Sequence, residues 1–119
     1  SGAKGHGRQN RIEGRLEPGA AVVVVEDLIS TGGSVLEVVE ALREAGARVL
    51  GVVCIFTYGM KKGLERLDRA GVRAVPLTDF DTVARVAAQE GYIPPEDVKR
   101  LLAFRDNPSD ESWITEDRQ

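Results

Sequence analysis

From Ala20 onward the chain alternates between two hydrophobic rhythms. Apolar runs at Ala20 to Glu26, Val49 to Phe56 and Val72 to Leu77 are rich in β-branched residues and have the length of strands. Between and after them the apolar residues recur at helical spacing. From about Val35 to Ala45, Val35, Val38, Val39 and Leu42 share one face, with Glu37, Glu40, Arg43 and Glu44 mostly elsewhere. Gly63 to Ala70 carries Leu64 and Leu67 on a short inward face, and Thr82 to Gln89 carries Val83, Val86 and Ala87. Pro95 suits the first turn of a last helix ending near Phe104, with Val98, Leu101 and Leu102 turned inward. Gly46, Gly71 and Gly91 are placed to end helices in the left-handed conformation, and Asp79 or Asp81 can cap the helix that follows. Strand, helix, strand, helix, strand, two helices and a tail predict an α/β fold, a Rossmann-like parallel sheet flanked by helices. No internal repeat, low-complexity tract or interdomain linker interrupts it.

The first strand sets the most specific expectation. Val22 to Val25 are four consecutive valines, which suit a strand buried on both faces in a sheet covered by helices. Such a strand needs neighbours on both sides, and only three strand-like runs are present, so one neighbour is expected from outside this chain. The strand runs into Glu26-Asp27-Leu28-Ile29-Ser30-Thr31-Gly32-Gly33-Ser34. In open parallel sheets ligands gather at the carboxyl ends of the strands, where these residues lie. The two carboxylates can accept hydrogen bonds from sugar hydroxyls. Ser30, Thr31, Gly32, Gly33 and Ser34 can cradle a phosphate through hydroxyls and backbone N–H groups at a helix N-terminus, where the helix dipole favours an anion. Together they describe a site for a phosphorylated sugar.

Two local rules bear on that site. Adjacent residues of a strand point to opposite faces, so Glu26 and Asp27 can bind one ligand only if the strand has already bent into the loop. Ser34 and Glu37 have the spacing of a capping box, which would occupy the Ser34 hydroxyl and leave Ser30 and Thr31 as the free ones. The segment is not a nucleotide triphosphate P-loop, because it lacks the Gly-x-x-x-x-Gly-Lys spacing.

Composition adds little more. With 119 residues and 42% hydrophobic positions the chain fits one domain, and a formal net charge of −3 gives no overall footprint for nucleic acid. The first fifteen residues are the exception: Lys4, Arg8, Arg11 and Arg15 face only Glu13. Cys54 is the sole cysteine, so no disulfide can form within the chain, and its strand makes it a small buried hydrophobe. No run approaches membrane-spanning length and no signal-peptide pattern is present, so a cytoplasmic enzyme without nucleic-acid or membrane partners is expected.

The segment Val22 to Ser34 closely resembles the 5-phosphoribosyl 1-diphosphate (PRPP) signature of the type I phosphoribosyltransferases. Lys4-Gly5-His6-Gly7 and Ile12-Glu13-Gly14 resemble the mobile catalytic loop of the orotate phosphoribosyltransferase family. Ile55-Phe56-Thr57-Tyr58 and Asn107 to Thr115 are similar to bacterial members of that family. The resemblance implies the type I phosphoribosyltransferase fold, here a partial domain, with residues 1–17 as the mobile loop and 18–119 as the carboxyl-terminal part of the domain. A family member is nearly twice as long, so an upstream half with the base-binding hood is expected; Met60 is the only methionine and Ser1 is not expected to be the encoded start.

The implied reaction joins orotate and PRPP, with Mg2+, to give orotidine 5-phosphate and pyrophosphate. Lys4, His6 and Asp27 are then the catalytic residues. Glu26 and Asp27 bind the ribose hydroxyls, and Ser30, Thr31, Gly32, Gly33 and Ser34 hold the 5-phosphate. Magnesium is held by diphosphate and ribose oxygens, with no direct protein ligand. Negative charge grows on departing pyrophosphate, so Lys4 would act chiefly in the transition state, with His6 as a donor of near-neutral pKa. The family is homodimeric, with the loop shared across subunits. Where some relatives carry an Asp-Arg pair, this chain has Tyr58-Gly59, so no orotate-binding residue is assigned. The alternatives are a salvage transferase for another base and a regulatory or RNA-binding protein on the same fold.

Overall fold

A computed structural model describes residues 12–112. The elements run β1 (Ala21–Ile29), α1 (Gly33–Glu44), β2 (Arg48–Thr57), α2 (Lys61–Arg69), β3 (Ala74–Asp79), α3 (Phe80–Gln89) and α4 (Asp97–Asp106). The three strands pair in parallel in the order β1-β2-β3. This is the predicted α/β architecture. Parallel pairing sends all three strand ends, with the loops that follow them, to one edge of the sheet.

One face of the sheet carries the core. Val24, Val52 and Cys54 pack there with Val35 and Val39 of α1 and Leu67 of α2. Val35, Val39 and Val52 are at most 2% exposed. Burying a valine fully is worth about 1.5 kcal/mol or more, so this layer is what fastens α1 to the strands. The expectation that the valine strand is buried on both faces is not met: Val23 is 52% exposed and Val25 78%. Alternation puts them on the side away from α1, with Ile55 and Val75, which are also exposed. Among the described residues nothing covers this second face, and β1 lies at the edge of the sheet.

Element boundaries shift from the expected ones for local reasons. β1 and β2 pair through Ile29 and Thr57, so both strands extend past their apolar runs. β3 begins at Ala74 rather than Val72, because left-handed Gly71 (φ 66°) turns the chain and the Val72 N–H donates to the Leu67 carbonyl at 2.9 Å. Val72 is thereby buried in the core as a helix-ending hydrophobe. Pro76 sits in β3 without disrupting the sheet because β3 is the other edge strand. Gly46 and Gly91 have φ of 91° and 81°, as expected of helix terminators. Asp79, not Asp81, caps α3, its carboxylate accepting from the Thr82 N–H at 2.8 Å. α4 starts two residues beyond Pro95, after a turn in which the Asp97 and Val98 N–H groups donate to the Pro94 and Pro95 carbonyls. Its Val98, Leu101 and Leu102 are half-buried, and none of its residues is fully buried.

Candidate active site

The site begins where β1 runs out. Val25, Glu26, Leu28 and Ile29 all pair with β2 at the same 28-residue offset, while Asp27 between them has no partner in the ladder. Glu26 pairs with Cys54 on the core side and is half-buried; its charge, after burial itself, helps push the Cys54 thiol up. Asp27 is exposed. Both carboxylates lie at the carboxyl edge of the sheet. Further along, Leu28 is 47% exposed and Ile29 3%, a reversal of the pattern set by Val24 and Val25, so the two-residue alternation is lost at Asp27.

Ser30, Thr31 and Gly32 make the turn into α1. Gly32 is the N-cap, with φ of 84°, a left-handed conformation that glycine adopts without steric cost. The first intrahelical bond is Leu36 N–H to the Gly32 carbonyl, 3.1 Å. The N–H groups of Gly33, Ser34 and Val35 consequently have no partner within the helix and project from its N-terminus, as an anion site requires. The Ser34–Glu37 capping box does not form: Ser34 is already inside the helix, and no side chain caps α1. The physical reason is that with Gly32 as N-cap the helix starts two residues too early for Ser34 to cap it, and the N–H groups ahead of Ser34, from Leu36 on, are taken up by helix carbonyls. Ser34 is exposed, so its hydroxyl joins those of Ser30 and Thr31.

The loop is held from β2 and α2. The Ile29 carbonyl accepts from the Tyr58 N–H at 3.0 Å and from the Thr57 hydroxyl at 3.4 Å. Arg66 of α2 donates from Nη1 to the Thr31 carbonyl at 3.1 Å. Gly63 of α2 is buried so tightly against the loop that a Cβ there would lie 2.5 Å from the Ser30 carbonyl oxygen. Lys61 and Lys62, at the start of α2, are exposed.

A second tie closes the same edge behind β2. Arg105 of α4 donates to both carboxylate oxygens of Asp81 and, from Nη1, to the Tyr58 carbonyl at 3.0 Å. The hydrogen bonds from Arg105 hold the Asp81 carboxyl below the usual carboxylate range. The Tyr58 ring lies between Phe56 and Phe80, with centroids 5.2 and 5.5 Å away. Neither Arg66 nor Arg105 stands out in the sequence. Gly63 does leave a signal, since a glycine inside a nine-residue helix costs stability relative to alanine unless close packing demands it.

Lys4 and His6 lie outside the described residues, as does residue 113 onward. The structure thus places Glu26, Asp27, Ser30, Thr31, Gly32, Gly33 and Ser34 on one strand–turn–helix unit at the carboxyl edge of the sheet.

Residues 7–90 match the family model described as the phosphoribosyl transferase domain. The chain belongs to this phosphoribosyltransferase family. Its similarity to the orotate phosphoribosyltransferase of Bacillus cereus is 55% identity over 115 residues, 97% of this chain and 55% of that protein. The phosphoribosyltransferase chain thus spans about half the length of the curated relatives it matches. Among solved structures it is similar to a Leishmania donovani UMP synthase, with a TM-score of 0.69 and 25% identity over 78% of this chain and 21% of that one. A Mycobacterium tuberculosis orotate phosphoribosyltransferase in complex with PRPP gives a TM-score of 0.51 and 30% identity, covering 57% of this chain and 40% of that one. The expected type I phosphoribosyltransferase fold is therefore borne out. No helix among the described residues is long and apolar enough to cross a membrane.

Proposed function

We propose that this chain is the carboxyl-terminal part of an orotate phosphoribosyltransferase, which transfers the phosphoribosyl group of PRPP to orotate and releases pyrophosphate in pyrimidine (UMP) biosynthesis. The observation that carries this reading is the 55% identity to an orotate phosphoribosyltransferase along nearly the whole chain, across the strand–turn–helix unit itself. In this reading the 5-phosphate rests on the Ser30 and Thr31 hydroxyls and the outward N–H groups from Gly32 to Ser34. The helix dipole of α1 supports its charge. Asp27 accepts from the ribose hydroxyls, and Glu26 joins it when the strand end turns to bring both acids to one ligand.

Lys4 closes over the diphosphate as it departs, and His6 donates a hydrogen bond or proton there. A cation placed where charge develops lowers the barrier more than it strengthens binding of the substrate. Magnesium fits the donor set. The described residues hold no group of three or more His, Cys, Asp or Glu side chains that could form a metal cage, while two carboxylates beside a phosphate cradle suit an ion held mainly by substrate oxygens. When bound, it neutralises diphosphate charge. We place the enzyme in the cytoplasm as a homodimer whose loop, residues 1–17, serves the neighbouring subunit.

The test is base-dependent turnover of PRPP by the full-length protein with magnesium. Loss of orotate absorbance with formation of orotidine 5-phosphate is the expected result. Transfer to adenine, hypoxanthine or uracil in preference to orotate would replace it with a salvage reading. Salt-sensitive RNA binding without any turnover would point to the regulatory one.

A further inference from the structure

We infer that Gly63 and Arg66 of α2 are positioning residues that aim the Thr31 and Gly32 N–H groups at the ligand phosphate, an inference that rests on the PRPP reading above. In a trans peptide the carbonyl and the following N–H point in opposite directions, so whatever holds the oxygen also aims the hydrogen. The Ser30 oxygen faces Gly63, and the Thr31 oxygen is held by Arg66 Nη1 at 3.1 Å. Both carbonyls are therefore turned toward α2, and the N–H groups of Thr31 and Gly32 are turned away from it. Two successive N–H groups on one side, continued by those at the start of α1, form a concave anion cradle.

Gly63 and Arg66 are one helical turn apart and so act from one face of α2. At Gly63 the fit leaves no room for a side chain. A Cβ there would meet the Ser30 carbonyl oxygen at 2.5 Å, while one on Gly32 would sit in ordinary contact with the Gly63 Cα and carbonyl oxygen at 3.6 Å. Because the 2.5 Å contact is with backbone, alanine at Gly63 must push the loop or the helix aside. Arg66 also places a permanent charge behind the loop, on the side away from the ligand.

In the full-length protein, PRPP affinity measured by calorimetry, steady-state kinetics and the melting temperature test this. Arg66→Met removes one hydrogen bond while keeping the aliphatic stem. It is expected to weaken PRPP binding about threefold to tenfold, the range for a single net hydrogen bond, with the KM for orotate unmoved. Arg66→Lys can still reach one carbonyl and should recover part of that loss. Gly63→Ala is expected to weaken PRPP binding by about tenfold or more, since overpacking against backbone displaces the cradle. At a helix position free of contacts the same change would raise the melting temperature and leave affinity unchanged. Should Gly63→Ala fail to fold, the Arg66 variants, altered at a side chain that is not fully buried, still decide the matter. PRPP affinities within about twofold of wild type for Arg66→Met and for a folded Gly63→Ala would overturn the inference. Absence of PRPP binding by the wild-type protein would overturn the proposed function and this inference with it, and is recognised without any variant.

Discussion

Removing the Arg105 guanidinium tests how firmly α4 is tied to the carboxyl edge of the sheet. Arg105→Met keeps the apolar stem and deletes the donors to Asp81 and to the Tyr58 carbonyl. The side chain is only 12% exposed, so its hydrogen bonds to a charged partner fall in the range of about 1.5–3 kcal/mol. Two features pull the value toward the lower end. Asp81 is 33% exposed and regains water once Arg105 is gone, and Nη1 is shared between two acceptors, so the bonds do not add. The bond to Asp106, 69% exposed, contributes little. A loss of about 2 kcal/mol is expected, which corresponds to a melting temperature about 8 °C lower at roughly 4 °C per kcal/mol for a domain of this size.

Urea unfolding of Arg105→Met, Asp81→Asn and the double variant then isolates the pair. A coupling of about 1 kcal/mol or more is expected. The pH dependence has a definite sign. The Asp81 carboxyl is held low in the folded protein, so the pair contributes fully above the ordinary carboxylate pKa of about 4 and fades as pH falls through the depressed folded value. The stability gap between wild type and Arg105→Met should therefore shrink in acid. Strict additivity of the two single changes, or a gap that stays constant from neutral pH down to about pH 2, would refute the reasoning.

Other outcomes follow from the site and the core. Asp27→Asn should chiefly weaken PRPP binding, whereas Lys4→Ala should lower kcat by about a hundredfold or more with PRPP affinity little changed; a wild-type single-turnover rate for Lys4→Ala would make the loop a binding clamp instead. Mixed Lys4→Ala and Asp27→Asn subunits should regain part of the lost activity if the loop acts across the dimer, and proven heterodimers without any recovery would count against it. The 119-residue chain by itself should not transfer phosphoribosyl groups, because it spans about half of its relatives and leaves the face carrying Val23 and Val25 open; measurable orotidine 5-phosphate formation by this chain would contradict that. Cys54, 1% exposed and with its thiol pushed up by burial and by Glu26, should resist thiol reagents at pH 8 until the protein unfolds. Stoichiometric labelling of the native protein within seconds would show that the core opens more readily than its packing implies.

The amino-acid sequence by itself determined the order and kind of elements, because period-2 and period-3.6 patterns and glycine terminators are local properties of the chain. Gly46, Gly71 and Gly91 end their helices in the left-handed conformation that their positions predict. The phosphosugar motif was equally legible, since a strand, a glycine turn and a helix N-terminus are contiguous in sequence. Tertiary structure decided what depends on distant partners. That Val25 is open while Val24 is buried depends on which face α1 covers, and four identical valines carry no information about that. The start of α1 at Gly33 rather than after Ser34 depends on a left-handed Gly32 packed beside Gly63, 31 positions away. Arg66 and Arg105 look like ordinary solvated cations in their helices. They acquire roles only because a parallel sheet sends every strand end to one edge, where side chains from the following helices can reach the carbonyls of the loops.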